Sequence, residues 1–174
     1  LIVLCLLFEA SVHLIWQAYL SNYRYDADSR NPYVYAHPTP EVFTVVQKIQ
    51  EYAGAQEDGR NLPIEVICPG DDYWPLPWYL RSFKQVSWRN QVADDANSAP
   101  LIIASPDVEG ALTRKLYTLI PLEERQMYLF LFDKPYYVWL RPGVKLSGFV
   151  RKDLWDNLQR QQAGTVQVRT AGEK

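Results

Sequence analysis

The opening stretch constrains everything that follows it. Leu1–Leu20 reads LIVLCLLFEASVHLIWQAYL. At about 1.5 Å rise per residue such a helix reaches across the roughly 30 Å hydrocarbon core of a bilayer. It carries no basic leader region and no small-residue cleavage site, which sets it apart from a secretory signal peptide. Residues 1–20 therefore read as the end of the last membrane-spanning helix of a longer chain. A linker at residues 21–30, a soluble domain at 31–163 and a flexible polar tail at 164–174 follow.

The helix is not apolar all round. Glu9, His13 and Gln17 fall at i, i+4 and i+8, on one face. Such groups are costly in lipid and point into a bundle or a wet cavity. The expected partners are thus the bilayer itself and an upstream transmembrane bundle of the same chain. The competing reading is an amphipathic helix lying on its own soluble domain, with that stripe in water. Trp16, Tyr19, Tyr23 and Tyr25 follow where an interfacial aromatic belt sits. Arg24 and Arg30 are offset by Asp26 and Asp28, so loop charge does not orient the helix.

From Asn31 onward about 144 residues remain, enough for one domain with a real core. A net charge of −2, with both signs interspersed, leaves no basic footprint for nucleic acid. The two cysteines, Cys5 and Cys68, form neither a disulfide framework nor a metal-ligand spacing, and no cofactor motif is present. Glycine-rich nucleotide-binding patterns are missing. With two histidines and no serine in a nucleophile context, a Ser/His/Asp hydrolase is disfavoured. The unusual feature is 12 Tyr and 6 Trp. Surplus Tyr and Trp suit surfaces that are half apolar and half wet: membrane interfaces, sugar platforms or protein contacts.

Punctuation and periodicity predict the elements. Tyr33–Tyr35 reads as a short edge strand. Thr39-Pro40 starts a helix over residues 40–53, with Thr39 as N-cap and Val42, Val45, Val46, Ile49 and Ala53 on its apolar face. Ile64–Cys68, Val86–Arg89 and Leu101–Ala104 read as strands. A short helix is expected over Trp74–Phe83 and another from Ser105-Pro106-Asp107 toward Leu116. Leu116–Pro121, Met127–Phe132, Tyr136–Leu140 and Leu146–Val150 are strand candidates. Asp153–Gln162 closes the domain as a helix, with Leu154, Trp155 and Leu158 on one face. Alternating strand and helix imply a parallel sheet covered by helices. The expected class is α/β: a mostly parallel sheet with covering helices and an antiparallel C-terminal addition, preceded by one transmembrane helix.

The densest motif runs Cys68-Pro69-Gly70-Asp71-Asp72-Tyr73-Trp74-Pro75-Leu76-Pro77-Trp78-Tyr79-Leu80-Arg81. It begins where a strand ends and a helix starts, the edge of an α/β sheet where ligands collect. Asp71 and Asp72 beside Tyr73, Trp74 and Trp78 are of the kind that binds sugars, with Arg81 closing the motif. An architectural reading competes: one Asp caps the helix, Pro75 and Pro77 shape the turn, and both tryptophans are core. A lone Asp pair is weak ground for a metal. His37, just before a helix, is either a ligand contact or a turn histidine. Arg141, in Arg141-Pro142-Gly143, is either a turn residue or a clamp for phosphate or carboxylate.

The runs Asn31-Pro32-Tyr33-Val34-Tyr35-Ala36-His37, Pro40-Glu41-Val42, Asp71 to Arg81 and Leu140-Arg141-Pro142-Gly143 resemble the C-terminal part of a family of membrane proteins. These are the flippase-activity-associated proteins of protein-glycosylation loci. That family is similar to the dolichyl-phosphate-mannose protein mannosyltransferase superfamily, the multi-spanning GT-C glycosyltransferases. The resemblance covers nearly the whole chain after the helix, and the DDYWPLPWYLR block is its most specific part. It implies a domain on the extracytoplasmic side of the cell membrane, after the last span of a protein that uses a polyprenyl-phosphate sugar donor. The superfamily's catalytic carboxylate lies in its first extracytoplasmic loop, so no residue here inherits it, and this fragment is not expected to be catalytic alone. Two functions follow as expectations. The domain binds acceptor, glycan or lipid-linked sugar, or caps the membrane site, of a glycosyltransferase-like parent. Alternatively it is a non-enzymatic docking module of a lipid-linked-oligosaccharide transport machine.

Overall fold

Three short runs, IEVI, VSWR and LIIA, form the parallel heart of the sheet in the computed structural model, which describes residues 1–28, 30–34, 36–93 and 98–172. They are β1 (Ile64–Ile67), β2 (Val86–Arg89) and β3 (Leu101–Ala104). β1 lies between the other two, with Ile64 opposite Val86 on one side and Leu101 on the other. β4 (Tyr128–Phe130), β5 (Tyr137–Arg141) and β6 (Val144–Arg151) add the antiparallel part. β6 pairs β3, with Leu101 opposite Val150, and also carries β4 and β5. The sheet is thus mixed: a parallel core of three strands with three antiparallel strands added, in the order β2-β1-β3-β6-β4 with β5 also on β6.

Every residue of β1 and β3 is buried, as in strands covered on both faces. One face holds Ile64, Val66, Leu101 and Ile103 under Val42, Val45 and Ile49 of α2 (Val42–Gly54) and Leu154 and Leu158 of the C-terminal helix. The other holds Ile67, Ile102 and Ala104 under Leu112 and Leu116. These two come from α4 (Glu109–Arg114) and the wider turn Lys115–Leu119 that continues it. Between β1 and β2, α3 (Leu76–Tyr79) makes a single turn and buries Leu76.

The N-terminal α1 (Ile2–Tyr19) runs into a wider turn at Leu20–Arg24. Together they form a 23-residue helix, long and apolar enough to cross a membrane, with none of it buried. Ser11 and Asn22 return their side-chain donors to the carbonyls of Leu7 and Ala18, at 2.8 Å each. Glu9, His13 and Gln17 are all exposed.

Several expected elements change. Tyr33 and Val34 lie in a turn rather than a strand, and Tyr35 falls outside the described residues. Leu116–Pro121 is not a strand, because Leu112 and Leu116 at i, i+4 keep the helical period and both are buried. The helix expected over Trp74–Phe83 shrinks to Leu76–Tyr79, as two prolines within four residues predict. Helix α2 starts at Val42, two residues after Pro40. Thr39 still serves that start, accepting from the Glu41 N–H at 3.3 Å. Tyr52 joins the buried face, whereas Val46 is half-buried. Trp155 is exposed, since only Leu154 and Leu158, at i, i+4, face the sheet. The closing helix, α5, spans Lys152–Gly172 and so includes the polar segment past Gly164.

Candidate functional site

β1 and β3 run parallel, so both deliver their next residues to one edge of the sheet. Cys68-Pro69-Gly70-Asp71-Asp72 follows β1, and Ser105-Pro106-Asp107 follows β3. Ser105 N–H donates to the Ile67 carbonyl at 2.9 Å, tying the two exits together. The β5–β6 hairpin closes over the same edge through a turn in which Gly143 has φ +83°, a conformation suited to glycine. A cavity of about 190 Å³ lies between these three segments, with Cys68, Asp72, Ser105, Asp107, Trp139 and Lys145 among its walls.

Asp72 and Arg141 are 69 positions apart in sequence and meet here, with Nη2 donating to Oδ1 at 2.5 Å. Nη1 of Arg141 donates to the Trp74 carbonyl at 2.7 Å. Arg141 thus clamps the motif at two points, a geometry that suits the rigid planar fork of a guanidinium. Its side chain is mostly covered, at 18% exposure, while that of Asp72 is 53% exposed. The Asp72 side chain is thus open enough to meet a ligand hydroxyl.

Asp71 stands differently. It sits at φ +59°, after Gly70 at φ +67°. Its N–H donates to Asn90 Oδ1 at 3.2 Å, and its carboxylate accepts from the Tyr73 hydroxyl at 3.1 Å. Desolvation, then this bond to Asp71, raises the Tyr73 phenol above its usual range. Neither Asp71 nor Asp72 caps a helix with its side chain, so the capping reading of the pair is replaced by these contacts.

The tryptophans are surface groups. Trp74 is 56% exposed and Trp78 63%, which overturns the reading of both as core anchors. They do not share one helical face, because only Trp78 is in α3. Trp78 lies under the Arg81 guanidinium, 4.4 Å from its ring centroid, so one indole face is already covered. The ring at the cavity itself is Trp139 of β5. Lys145 Nζ sits 4.2 Å from the Tyr137 ring centroid and 4.7 Å from that of Trp139.

Cys68 lines the cavity as a buried thiol, pushed up to about 12 by burial. It is a wall, not a nucleophile. His37 is not gathered into this edge. It borders a separate hollow of about 700 Å³ with Gln17, Ala18 and Asn31, against the last turns of α1. A third hollow, of about 530 Å³, runs along β2 past Glu65 and Arg89. The buried Glu65 carboxylate there is paired with Arg89 at 3.0 Å. Among the described residues no group of three or more His, Cys, Asp and Glu is placed to hold a metal ion.

Sequence reading singled out Asp72, Trp74 and Arg141 but did not join them, and it missed Asp107, Trp139 and Lys145 as cavity residues. The signal for the last two lies in the hairpin. Once Arg141-Pro142-Gly143 is a turn between two strands, Trp139 and Lys145 become cross-strand neighbours, as the register has them. No protein-family model, no curated protein and no solved structure matches the chain.

Proposed function

We propose that this chain is the membrane tether and extracytoplasmic domain of a multi-spanning, glycosyltransferase-like protein that uses lipid-linked sugars. In this reading the edge formed by β1, β3 and the β5–β6 hairpin binds a saccharide, either the glycan acceptor or the sugar of a polyprenyl-phosphate donor. The observation that carries the proposal is Asp72. It is held by Arg141, stays half exposed and opens onto a cavity shared with Asp107, Ser105 and Trp139. Saccharides offer paired hydroxyls and apolar ring faces. Fixed carboxylates accept from the former and an indole packs on the latter. Arg141 prevents Asp72 from swinging away, so little ordering entropy is spent at binding. No transfer step is assigned to these residues. They position a sugar and leave bond making to the membrane-embedded part of the parent.

The test uses the intact parent in its own membrane. Asp72→Asn keeps the size of the side chain and one acceptor for Arg141 but removes the charge. With Asp107→Asn it should lower transfer of sugar to acceptor at least tenfold while protein level and folding stay near wild type. Full transfer by a well-folded double variant would reject a sugar-binding role for this edge.

A further inference from the structure

Two aromatic side chains that the sheet edge does not use meet at the first turn of α2. Phe43 is 60% exposed, and it meets the half-buried Tyr79 edge to face with ring centroids 5.6 Å apart. Trp78, next to Tyr79 in α3, is more exposed still. Arg81 lies over its ring and donates to its carbonyl at 2.6 Å. Phe43 and Trp78 leave large apolar surface exposed, and such surface marks a contact site. Tyr and Trp with an Arg whose stem lies on a ring form the composition that suits a membrane–water interface.

The path of the chain limits how far Phe43 stands from the exit of α1. The segment that leaves α1 is held at both ends. The Asn31 side-chain amide is buried and donates to the carbonyls of Ser21 and Tyr25, at 2.9 Å each. Thr39 N–H donates to the Leu140 carbonyl in β5 at 2.9 Å. Between these anchors His37 borders the hollow against Gln17 and Ala18. Phe43 follows His37 by six residues, so about 22 Å of extended chain is the outer limit on their separation. The same end of α1 carries its own belt, Trp16 and Tyr19 stacked at 5.8 Å and Tyr19 and Tyr23 at 5.6 Å.

We propose that Phe43, Trp78 and Tyr79 insert into the headgroup layer of the bilayer that α1 crosses, with Arg81 reaching the lipid phosphates. The domain then lies against the membrane and does not stand off from it. The inference rests on α1 spanning the bilayer and is independent of the sugar site.

Native tryptophans supply the probe. The full chain is reconstituted in vesicles of phosphatidylcholine and phosphatidylglycerol, with or without bromine on the acyl chains close to the headgroup. Bromine quenches only indoles in contact with lipid. Quenching lost on going from wild type to Trp16→Phe reports the span. In the Trp16→Phe/Trp74→Phe background, where Trp78 is one of four remaining tryptophans, fluorescence should fall by up to about a quarter in brominated vesicles. Adding Trp78→Phe should remove most of that loss, while the near-ultraviolet dichroism confirms an unchanged fold. Quenched Trp16 with unquenched Trp78 overturns the docking and leaves the span standing. Quenching that survives Trp78→Phe assigns membrane contact to another surface and overturns it too. An unquenched Trp78 in nanodiscs that each hold two copies gives the cluster to a second copy, which also overturns it. If Trp16 itself is not quenched, the span fails and the docking falls with it.

Discussion

Gly148→Ala is expected to be the most damaging methyl that can be added to the sheet. Gly148 lies in β6 opposite Ile103, and its φ is outside the left-handed region, so alanine meets no backbone objection. The cost is purely steric. A Cβ there would stand 2.7 Å from Leu131 Cβ, 2.8 Å from Leu131 Cδ2 and 2.9 Å from Phe132 Cε2, where ordinary contact begins at 3.4 Å. A flexible side-chain tip could swing aside, but Leu131 Cβ moves only with its backbone. That backbone is pinned, because Leu131 N–H donates to the Gly148 carbonyl at 2.8 Å. Leu131 and Phe132 are each only 4% exposed, so neither can be displaced without opening the core. Overpacking of this kind costs about 1–3 kcal/mol, and loosening the pinned hydrogen bond adds about 0.5–1.5 kcal/mol. The sum is about 1.5–4.5 kcal/mol. In a chain of this size about 2–4 °C of Tm is lost per kcal/mol, so the midpoint should fall by roughly 3–18 °C. The assay is thermal unfolding of the full chain in detergent, followed by circular dichroism. Gly110→Ala in α4 is the control. It has nothing within 4 Å of the added methyl and should be neutral or gain up to about 1 kcal/mol. A Gly148→Ala protein within about 0.5 kcal/mol of wild type would show that residues 131–132 do not press on β6 as described.

Trp74→Ala and Trp78→Ala should each change stability by no more than about 1 kcal/mol, against the roughly 3–5 kcal/mol of a core tryptophan; urea unfolding decides between the two. In a Cys5→Ser protein, Cys68 should resist maleimide at pH 8 until denaturant is added, because it is buried with its thiol pushed up to about 12; labelling in buffer alone would place it at the surface. Asp153 is held below the usual carboxylate range by the paired bonds from Arg151, at 2.7 and 2.8 Å. A lowered folded-state value stabilises the fold above the ordinary value, near pH 4, and that stabilisation is lost as pH falls through the folded value. Wild type should therefore be more stable than Asp153→Asn at pH 6, with the difference fading below pH ~4; a difference that does not change with pH would refute the pairing.

Periodicity was informative where burial has one clean period. IEVI and LIIA are short and rich in branched apolar residues, and both are strands with those starts. The Val42, Val45, Ile49 spacing likewise marks the buried face of α2. Reading failed where neighbours override local pattern. LYTLIP (Leu116–Pro121) looks like a strand by composition, yet Leu116 is locked to Leu112 one helical turn back and both cover Ile102 and Ala104. The candidate edge was half legible. That Asp71 and Asp72 emerge at the end of a strand follows from sequence order. That Arg141 rather than Arg81 meets Asp72 depends on the β5–β6 hairpin returning to the exit of β1. That closure is long-range and leaves no trace in local spacing. Exposure of Trp74 and Trp78 was equally hidden, since a tryptophan next to proline reads the same in a core as on a surface.

The most direct measurement is binding of a lipid-linked sugar to the intact chain in nanodiscs. A polyprenyl-phosphate hexose and the same polyprenyl phosphate without sugar are titrated in parallel, against wild type and Asp72→Asn/Asp107→Asn. Wild type should bind the sugar-bearing lipid at least tenfold more tightly than the bare lipid, a difference of about 1.4 kcal/mol, and the double variant should lose that preference while still folding. Equal binding of the two lipids by wild type, or a preference that survives the double substitution, would contradict a saccharide site at the Asp72–Arg141 edge.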